Sequence, residues 1–256
     1  MPEKSNQPVA TSQKTIRILE AIFRYKGGSL TELASELDMN KSTVHNHLST
    51  LVEEELVVRN GSEYRLGLRL LEFGGFARKQ YDIYQIALPE IERLAEQTGE
   101  IANLVVEEHG RCVYVACETG NRAVNLEIHP GVRRPLHVTA AGKAILAGLP
   151  SDRIDAIVER YGLPAETPQS ITTRGELENQ LAEIRDRGIA FDDEEHIEGL
   201  RCVAAPIHDS DEGVLGAVSI SGPSSRVTDD RFSDEFPAIV NSALNVIELN
   251  INHPDI

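Results

Sequence analysis

The stretch Ser29–Glu55, which reads SLTELASELDMNKSTVHNHLSTLVEEE, decides the fold of the first part of this 256-residue chain. Ser29 with Glu32 three positions later forms a capping box, which predicts a short helix. Asp38-Met39-Asn40 interrupts it as a three-residue turn, and Asn40 is placed to cap a second helix. That second helix carries one apolar stripe of Val44, Leu48, Leu51 and Val52. Two helices joined by so tight a turn indicate a helix-turn-helix.

The flanking residues extend this unit on both sides. Upstream, apolar residues at helical spacing after the possible caps Thr11 and Ser12 predict a first helix that ends at Gly27-Gly28. Those apolar residues are Ile16, Leu19, Ile22 and Phe23. Downstream, Asn60-Gly61 separates two strand-like runs, which predicts a hairpin with a type I′ turn and positive φ at both turn residues. Residues 1–67 are therefore predicted to form a winged helix-turn-helix.

A helical segment, 68–80, follows and carries Leu70, Leu71 and Phe73. It either links two domains or pairs two subunits. Residues 81–256 are then predicted to form a second domain of the α+β class, in which long helices flank an antiparallel sheet. The expected helices are 84–98 ended by Gly99, 140–147 capped by Thr139, 151–162, 173–187 with a capping box, and a last helix from about Thr228. The expected strands are 101–108, 111–118, 123–128, 200–207 and 214–221.

The charge of the chain is unevenly distributed. Lys and Arg number 25 against 41 Asp and Glu, for a net charge of -16. Residues 1–80 are nearly neutral, with 11 basic and 10 acidic side chains, so the excess acid belongs to the second domain. A solvated acidic surface with only 6 Lys against 19 Arg favours a halophilic source, although an ordinary acidic domain would look similar.

Several classes of protein are disfavoured by what the sequence lacks. No apolar run approaches the roughly 20 residues of a membrane span, and the first 13 residues have no apolar centre, so a cytoplasmic protein without membrane contact is expected. Three cysteines cannot form a disulfide framework. Cys112 and Cys117 lie five apart, so an ideal strand would place them on opposite faces. Scattered histidines without ligand spacing predict neither metal nor cofactor.

The second helix of the motif offers a surface for DNA. Helical periodicity places Ser42, His45, Asn46 and Ser49 opposite the apolar stripe, although any solvated helix face would also be polar. Asn46 could pair with the edge of adenine, while Lys41, Ser42 and Thr43 at the helix start and Arg59 in the wing suit phosphate. The predicted DNA-contacting set is Ser29, Lys41, Ser42, Thr43, His45, Asn46, Ser49 and Arg59.

The amino-acid sequence resembles that of a known protein family. Residues 29–67 are similar to the DNA-binding half of the IclR family of bacterial and archaeal regulators, and RRPLHVTAAGKAILAGLP (133–150), RGIAFDDEEHIEGLRCVAAPIHD (187–209) and AVSISGPSSRVTDDR (217–231) are similar to its effector-domain signatures. The resemblance implies a winged helix, a linker helix, a GAF-like ligand-binding domain, and dimers or tetramers on palindromic operators. Family members often carry Arg at Asn46 and an apolar residue at His47, so the operator cannot be taken from relatives.

A ligand cavity is predicted in the second domain. Strand alternation places Leu215, Ala217, Ser219 and Ser221 on one face, beside Leu200, Cys202 and Ala204 of the neighbouring strand. The helix start at Ala140, Ala141 and Gly142 presents amide groups that suit a carboxylate. The family resemblance implies Ala140, Ala141, Asp192, Leu200, Cys202, Ser219 and Ser221 as effector contacts. The serines could instead bond neighbouring backbone, and Cys202 could be a small buried apolar residue.

Two other functions are weighed against a ligand-controlled transcription regulator. An enzyme would need Cys202 as nucleophile with His196 or His208 as base, but no G-x-S-x-G, G-x-G-x-x-G or phosphate-loop motif is present. An architectural DNA binder would not need so long a second domain. We therefore expect a sequence-specific regulator without catalytic activity, whose operator binding responds to an organic acid, a sugar or a sugar acid.

Overall fold

A computed structural model describes residues 8–124, 126, 128–209 and 213–253. The chain divides into two compact units, the first ending at Ala77 and the second beginning at Arg78. Each unit has its own apolar core, and their elements are given separately below.

The described residues of the first unit form a small sheet and four helices, the last of which extends two residues past Ala77. Its elements are α1 (Ala10–Arg24), β1 (Gly28–Ser29), α2 (Leu30–Glu36), α3 (Lys41–Glu53), β2 (Val57–Asn60), β3 (Glu63–Leu66) and α4 (Arg69–Lys79). The strands are antiparallel in the order β1-β3-β2. The core lies between α1, α2, α3 and the sheet, and its buried members are Ile18, Ala21, Ile22, Leu33, Ala34, Val44, Leu48, Leu51, Val57 and Tyr64. This arrangement is a winged helix-turn-helix.

The predicted first helix is confirmed, but only part of its predicted apolar set packs in the core. Ile18, Ala21 and Ile22 face the core, whereas Ile16 and Phe23 are 54% and 61% exposed. Of the predicted residues, Ile22 is buried and Leu19 packs against the core. The prediction was wrong for Ile16 and Phe23, which lie seven residues apart on a second face of the same helix. The helix also begins before Thr11 and Ser12, with Val9 at the cap position and no side-chain cap. Asn40 does occupy the cap position of α3, but its side chain makes no capping bond.

The wing differs from the prediction in its turn and its third strand. Asn60 pairs with Glu63, so the turn residues are Gly61 and Ser62. Only Gly61 has a positive φ, of 63°, which rules out the predicted type I′ turn. The strand β1 was not predicted, because its two residues are too few to show alternation. Ser29 is both its last residue and the N-cap of α2.

The second unit is a six-stranded antiparallel sheet covered by helices on both faces. Its elements are α5 (Asp82–Thr98), β4 (Ile101–Glu108), β5 (Arg111–Thr119), β6 (Arg133–Arg134), α6 (Ala140–Gly148), α7 (Ser151–Tyr161), α8 (Arg174–Arg187), β7 (Ala190–Asp193), β8 (Leu200–Asp209), β9 (Gly213–Pro223), a π-helical turn (Arg231–Glu235) and α9 (Phe236–Asn252). The strand order is β6-β5-β4-β9-β8-β7. The helices α5 and α9 pack on one face, and α6, α7 and α8 pack on the other. The α+β class is therefore confirmed.

Most of the predicted helix ends in this unit are confirmed by their caps. Gly99 and Gly188 close α5 and α8 in the left-handed conformation, and Thr173 forms the expected capping box with Glu176. The last helical segment begins at Asp229, as predicted near Thr228, and runs through the π-helical turn into α9. The described residues of the stretch 123–128 form no strand, and the sheet edge is instead β6. Residues 210–212 of the predicted 209–213 loop lie outside the described part of the chain.

Two β-bulges overturn predictions based on strict strand alternation. Ile207 pairs with Gly216 and His208 with Val214, so Leu215 is an extra residue and packs on the α5 and α9 face, away from Ala217. In β5, Val115 is extra in the same way. As a result Cys112 and Cys117 face the same core, against the prediction of opposite faces. A single inserted residue reverses the alternation of every residue beyond it.

Candidate functional sites

The exposed face of α3 is the first candidate site. Ser42, His45, Asn46 and Ser49 are exposed, while Val44, Leu48 and Leu51 are buried on the opposite side, as the periodicity predicted. The Ser49 hydroxyl donates to the carbonyl oxygen of His45 at 2.9 Å. Within the described residues the side-chain amide of Asn46 has no partner, so both its donor and its acceptor are available to a base edge.

Helix α3 is fixed to α1 by a polar contact that the sequence did not reveal. The Thr15 hydroxyl lies 2.8 Å from the Nδ1 atom of His47, between two half-buried side chains. Thr15 gives the half-buried imidazole of His47 a hydrogen-bond partner, which explains how a polar side chain is accommodated between the two helices.

The other predicted DNA-contacting residues differ in their exposure and in the contacts that they already make within the protein. Lys41 is exposed at the first position of α3, and Thr43 is half-buried beside it. The Arg59 guanidinium donates from Nε to the Gly61 carbonyl at 3.0 Å and lies over the Tyr64 ring at 5.7 Å. The Ser29 hydroxyl is engaged in the capping box, where it donates to Glu32 at 2.7 Å. Ser29 is thus occupied in holding α2.

The second candidate site is a cavity of about 160 Å³ in the second unit, between the sheet and the start of α6. Seven of the eight predicted effector-contacting residues line it, namely Ala140, Ala141, Asp192, Leu200, Cys202, Ser219 and Ser221. Gly142 does not line it, because its amide donates to the Thr139 cap at 3.1 Å and its Cα packs against Leu136. The amides of Ala140 and Ala141 precede the hydrogen-bond ladder of the helix and remain available.

Half of the cavity wall was missed at the sequence level. The additional lining residues are Tyr114, Leu126, Ile128, Arg134, Thr139, His196 and Ile197. Arg134 belongs to the short edge strand β6, and His196 and Ile197 belong to the loop after β7. Neither β6 nor β7 was predicted from the sequence, so no pattern indicated that Arg134, His196 or Ile197 would reach the cavity. Alternation on β5, correctly started from Cys112, would have found Tyr114.

The cavity is surrounded by buried polar atoms that lack partners. The Asp192 Oδ1 atom accepts the amide hydrogens of Glu195 at 2.8 Å and His196 at 3.3 Å, whereas its Oδ2 atom is buried and unpaired among the described residues. The same holds for Nδ1 of His196. Burial raises the pKa of Asp192 to about 7, although Lys143 opposes that rise. Burial, with a smaller effect of Arg134, lowers the pKa of His196 to about 4.

A buried ion pair supports the loop after β7, which carries His196 and whose backbone amides bond to Asp192. The ammonium of Lys143, with a side chain 0% exposed, is paired with the Glu195 carboxylate and donates to Gln180 Oε1 at 2.7 Å. The hydroxyls of Thr167 and Ser170 donate to the carbonyl oxygen of Glu195, the latter at 2.6 Å. None of the residues that make these contacts lines the cavity, so they hold the loop in place without occupying the cavity wall.

The geometry disfavours the enzyme alternative. Burial raises the pKa of the Cys202 thiol well above its ordinary value, and the Asp192 charge adds to this effect. The thiolate needed of a nucleophile is therefore scarce. His208 lies at the far end of β8, exposed and 3.6 Å from Glu248. In the part of the chain that the structure describes, no cluster of His, Cys, Asp and Glu could hold a metal, and no helix is long and apolar enough to cross a membrane.

A winged helix with an open recognition face, combined with a separate domain that holds a mostly apolar cavity with several polar groups, defines a class: transcription regulators with a sensor domain. The family follows from comparison with known proteins. Residues 12–61 match the model of the IclR helix-turn-helix domain, and residues 76–248 match that of the bacterial transcriptional regulator IclR C-terminal domain. The chain belongs to the IclR family of transcriptional regulators. Its relatives are regulators, so the chain is a DNA-binding regulator with an effector-binding C-terminal domain and not an enzyme.

Individual relatives agree over nearly the whole length. The chain is 36% identical to the probable HTH-type transcriptional regulator ArcR of Halobacterium salinarum, over 98% of each protein. It is 32% identical to the transcriptional repressor IclR of Escherichia coli, over 94% of this chain and 89% of that one. Among solved structures, the Thermotoga maritima IclR matches with a TM-score of 0.77 and 28% identity, over 94% of this chain and 98% of that one. The similarity to a Halobacterium protein supports the halophilic interpretation of the charge.

Proposed function

We propose that this protein binds a specific operator through α3 and the wing, and that a small organic ligand in the cavity of the second unit controls that binding. The observation that carries the proposal is the cavity itself. Its wall combines four hydroxyl groups, the carboxyl group of Asp192 and the first residues of α6, and the hydroxyls belong to Tyr114, Thr139, Ser219 and Ser221. Polar groups that converge in a mostly apolar pocket are typical of a ligand site.

Two relatives support the class of ligand. An IclR homologue from Microbacterium hydrocarbonoxydans, 23% identical with a TM-score of 0.79, was solved in complex with 4-hydroxybenzoate and covers 94% of this chain and 99% of that one. The acetate operon repressor of Salmonella typhimurium is 31% identical over 93% of this chain. We therefore propose control of genes for the use of a small carbon compound, by repression or activation.

A homodimer or homotetramer is the proposed assembly. On and next to α4, the side chains of Leu68, Leu71, Phe73 and Phe76 are between 52% and 85% exposed. So many large apolar side chains on one segment indicate a surface that another protein covers, and a second copy of the chain would pair two recognition helices for a palindromic operator. The domain division 1–67, 68–80 and 81–256 is part of this proposal, with the middle segment as the linker.

The test is an operator titration combined with a ligand screen. A thermal-shift assay of the full-length protein with small acids, sugars and sugar acids identifies a ligand by the rise in melting temperature. Operator binding is then titrated with and without that ligand. Ser219→Ala and Ser221→Ala are each expected to weaken ligand binding by about 1 to 3 kcal/mol while DNA affinity without ligand barely changes. Ala141→Leu should fill the cavity mouth and leave operator binding unresponsive.

Ser242→Ala, at an exposed position of α9, is the matched control and should behave like the wild type. If the three cavity variants keep the wild-type response to the ligand, the effector site lies elsewhere. If the protein binds operator but no compound changes that binding, the architectural alternative is correct.

A further inference from the structure

The cavity contains a carboxyl group that is only half satisfied. Asp192 is 1% exposed, and its Oδ1 atom is held by two backbone amides, while Oδ2 has no partner among the described residues. A buried acceptor without a hydrogen-bond partner has lost its bonds to water and gained none in the protein, which destabilises the folded state. A hydrogen-bond donor of a ligand, or a proton bound to Oδ2, would therefore stabilise the protein.

The groups around Asp192 do not neutralise it. From α6, Lys143 faces it, but this ammonium is already paired with Glu195. The negative charge of Glu195, in the loop after β7, disfavours ionisation of Asp192. From β8 and β5, Cys202 and Tyr114 face it, and burial raises the pKa of both groups, so both keep their protons. His196 beside it is neutral at pH 7, because burial lowers its pKa. Burial consequently raises the pKa of Asp192 to about 7.

One cation of the cavity wall is available to a ligand. Arg134 is half-buried, lines the cavity and forms no ion pair within the described residues. Its charge acts on His196 but is not among the charges that shift the pKa of Asp192. The guanidinium can therefore pair with an anionic group of the ligand, because no ion pair with Asp192 has to be broken first.

The size of the cavity limits the ligand. Its volume of about 160 Å³ is close to the roughly 150 Å³ of a cavity that holds benzene, and below the ~300 Å³ at which pockets for drug-sized molecules begin. One aromatic ring or a short chain with a single acidic group fits this volume. A disaccharide does not.

We propose that the ligand is a compact monocarboxylic acid captured together with one proton: its carboxylate pairs with Arg134, while Asp192 takes a proton from solvent onto Oδ2 and donates it in a hydrogen bond to a ligand oxygen. The proposal rests on the proposed function, because it assumes that this cavity is the effector site. No covalent bond of the ligand changes. The only transfer is of one proton from water to Asp192.

The direction of the pH dependence follows from the charges. A bound anion raises the pKa of Asp192 further by like-charge repulsion, so the complex holds more protons than the free protein above about pH 7. Affinity for the acid therefore falls as the pH rises above about 7, by up to tenfold per pH unit. Below that pH both states are protonated and the affinity levels off.

Calorimetry of the full-length protein tests the proposal. The three acids 4-hydroxybenzoate, lactate and glycolate are each compared with the corresponding primary amide. At least one acid should bind about tenfold or more tightly than its amide, since the amide cannot form an ion pair with Arg134. At about pH 8, titrations in buffers of different ionisation enthalpy should show an uptake approaching one proton. Asp192→Asn, which keeps the oxygen that accepts the two backbone amides, should bind with an affinity that no longer depends on pH.

Arg134→Gln should remove the preference for acid over amide, while Arg133→Gln at the exposed neighbouring position should retain it. Equal binding of acid and amide by the wild type, or wild-type affinity that is constant between about pH 6.5 and 8.5, would overturn the proposal. Failure of all three acids to bind would also overturn it. The operator titration with other ligands would then still decide the proposed function independently.

Discussion

The recognition helix and the effector cavity use polar side chains in opposite environments. On α3, Asn46 and His45 are exposed, and water satisfies them until DNA replaces it. In the second unit, Asp192, Glu195 and His196 each keep one unpaired buried atom among the described residues. An exposed polar group keeps its hydrogen bonds to water, so it does not reduce the stability of the fold. A buried polar group without a partner does reduce it, and the surrounding contacts must compensate. The comparison indicates that the DNA surface tolerates change and the cavity does not.

The ion pair behind the cavity should show the largest difference between the two regions. Lys143→Met leaves Glu195 buried without its cation, so the free energy of unfolding should fall by about 3 to 5 kcal/mol. The double variant Lys143→Met, Glu195→Leu removes both charges and should recover most of that loss. Denaturant unfolding followed by circular dichroism measures both effects. A single variant as stable as the wild type would mean that Glu195 is held by its backbone contacts alone.

The recognition helix should show a smaller effect, confined to binding. Asn46→Ala is expected to weaken operator binding by about 1 to 3 kcal/mol and to relax the preference at one base pair, because its amide is free to read a base edge. Lys41→Ala should instead weaken specific and random DNA alike, as loss of a phosphate contact does. Stability should stay at the wild-type value in both variants. Equal losses on specific and random DNA for Asn46→Ala would exclude base reading.

The smallest expected effect sharpens the set of DNA-contacting residues. Ser29→Ala removes the capping bond to α2 and should reduce stability by about 1 kcal/mol without changing the base preference. Thr11→Ala, inside α1 and outside any cap, is the matched control and should leave stability nearly unchanged. Thermal unfolding and operator titration measure the two effects. A change in base preference for Ser29→Ala would return Ser29 to the DNA-contacting surface.

The agreement between sequence and structure depends on how local each feature is. Capping boxes at Ser29 and Thr173 and the closing glycines Gly99 and Gly188 involve residues three or four positions apart, and all four were correctly predicted. The stripe on α3 was also correct, because one clear apolar face decides its orientation. In α1, by contrast, apolar residues lie on two faces, and only packing against α3 and the wing selected Ile18 over Ile16.

The sequence by itself determined the helix-turn-helix and the α+β class through its local patterns. Its resemblance to the IclR family indicated seven of the residues that line the cavity, and Asp192 was indicated by that resemblance alone. The tertiary structure alone decided the rest of that cavity, since Arg134 and His196 reach it from short edge elements with no periodic signal. It also decided the faces of Leu215 and Cys117, because a bulge depends on how two strands pair rather than on either strand alone. The ionisation of Asp192 is set in the same way, by burial that only the assembled sheet and helices provide.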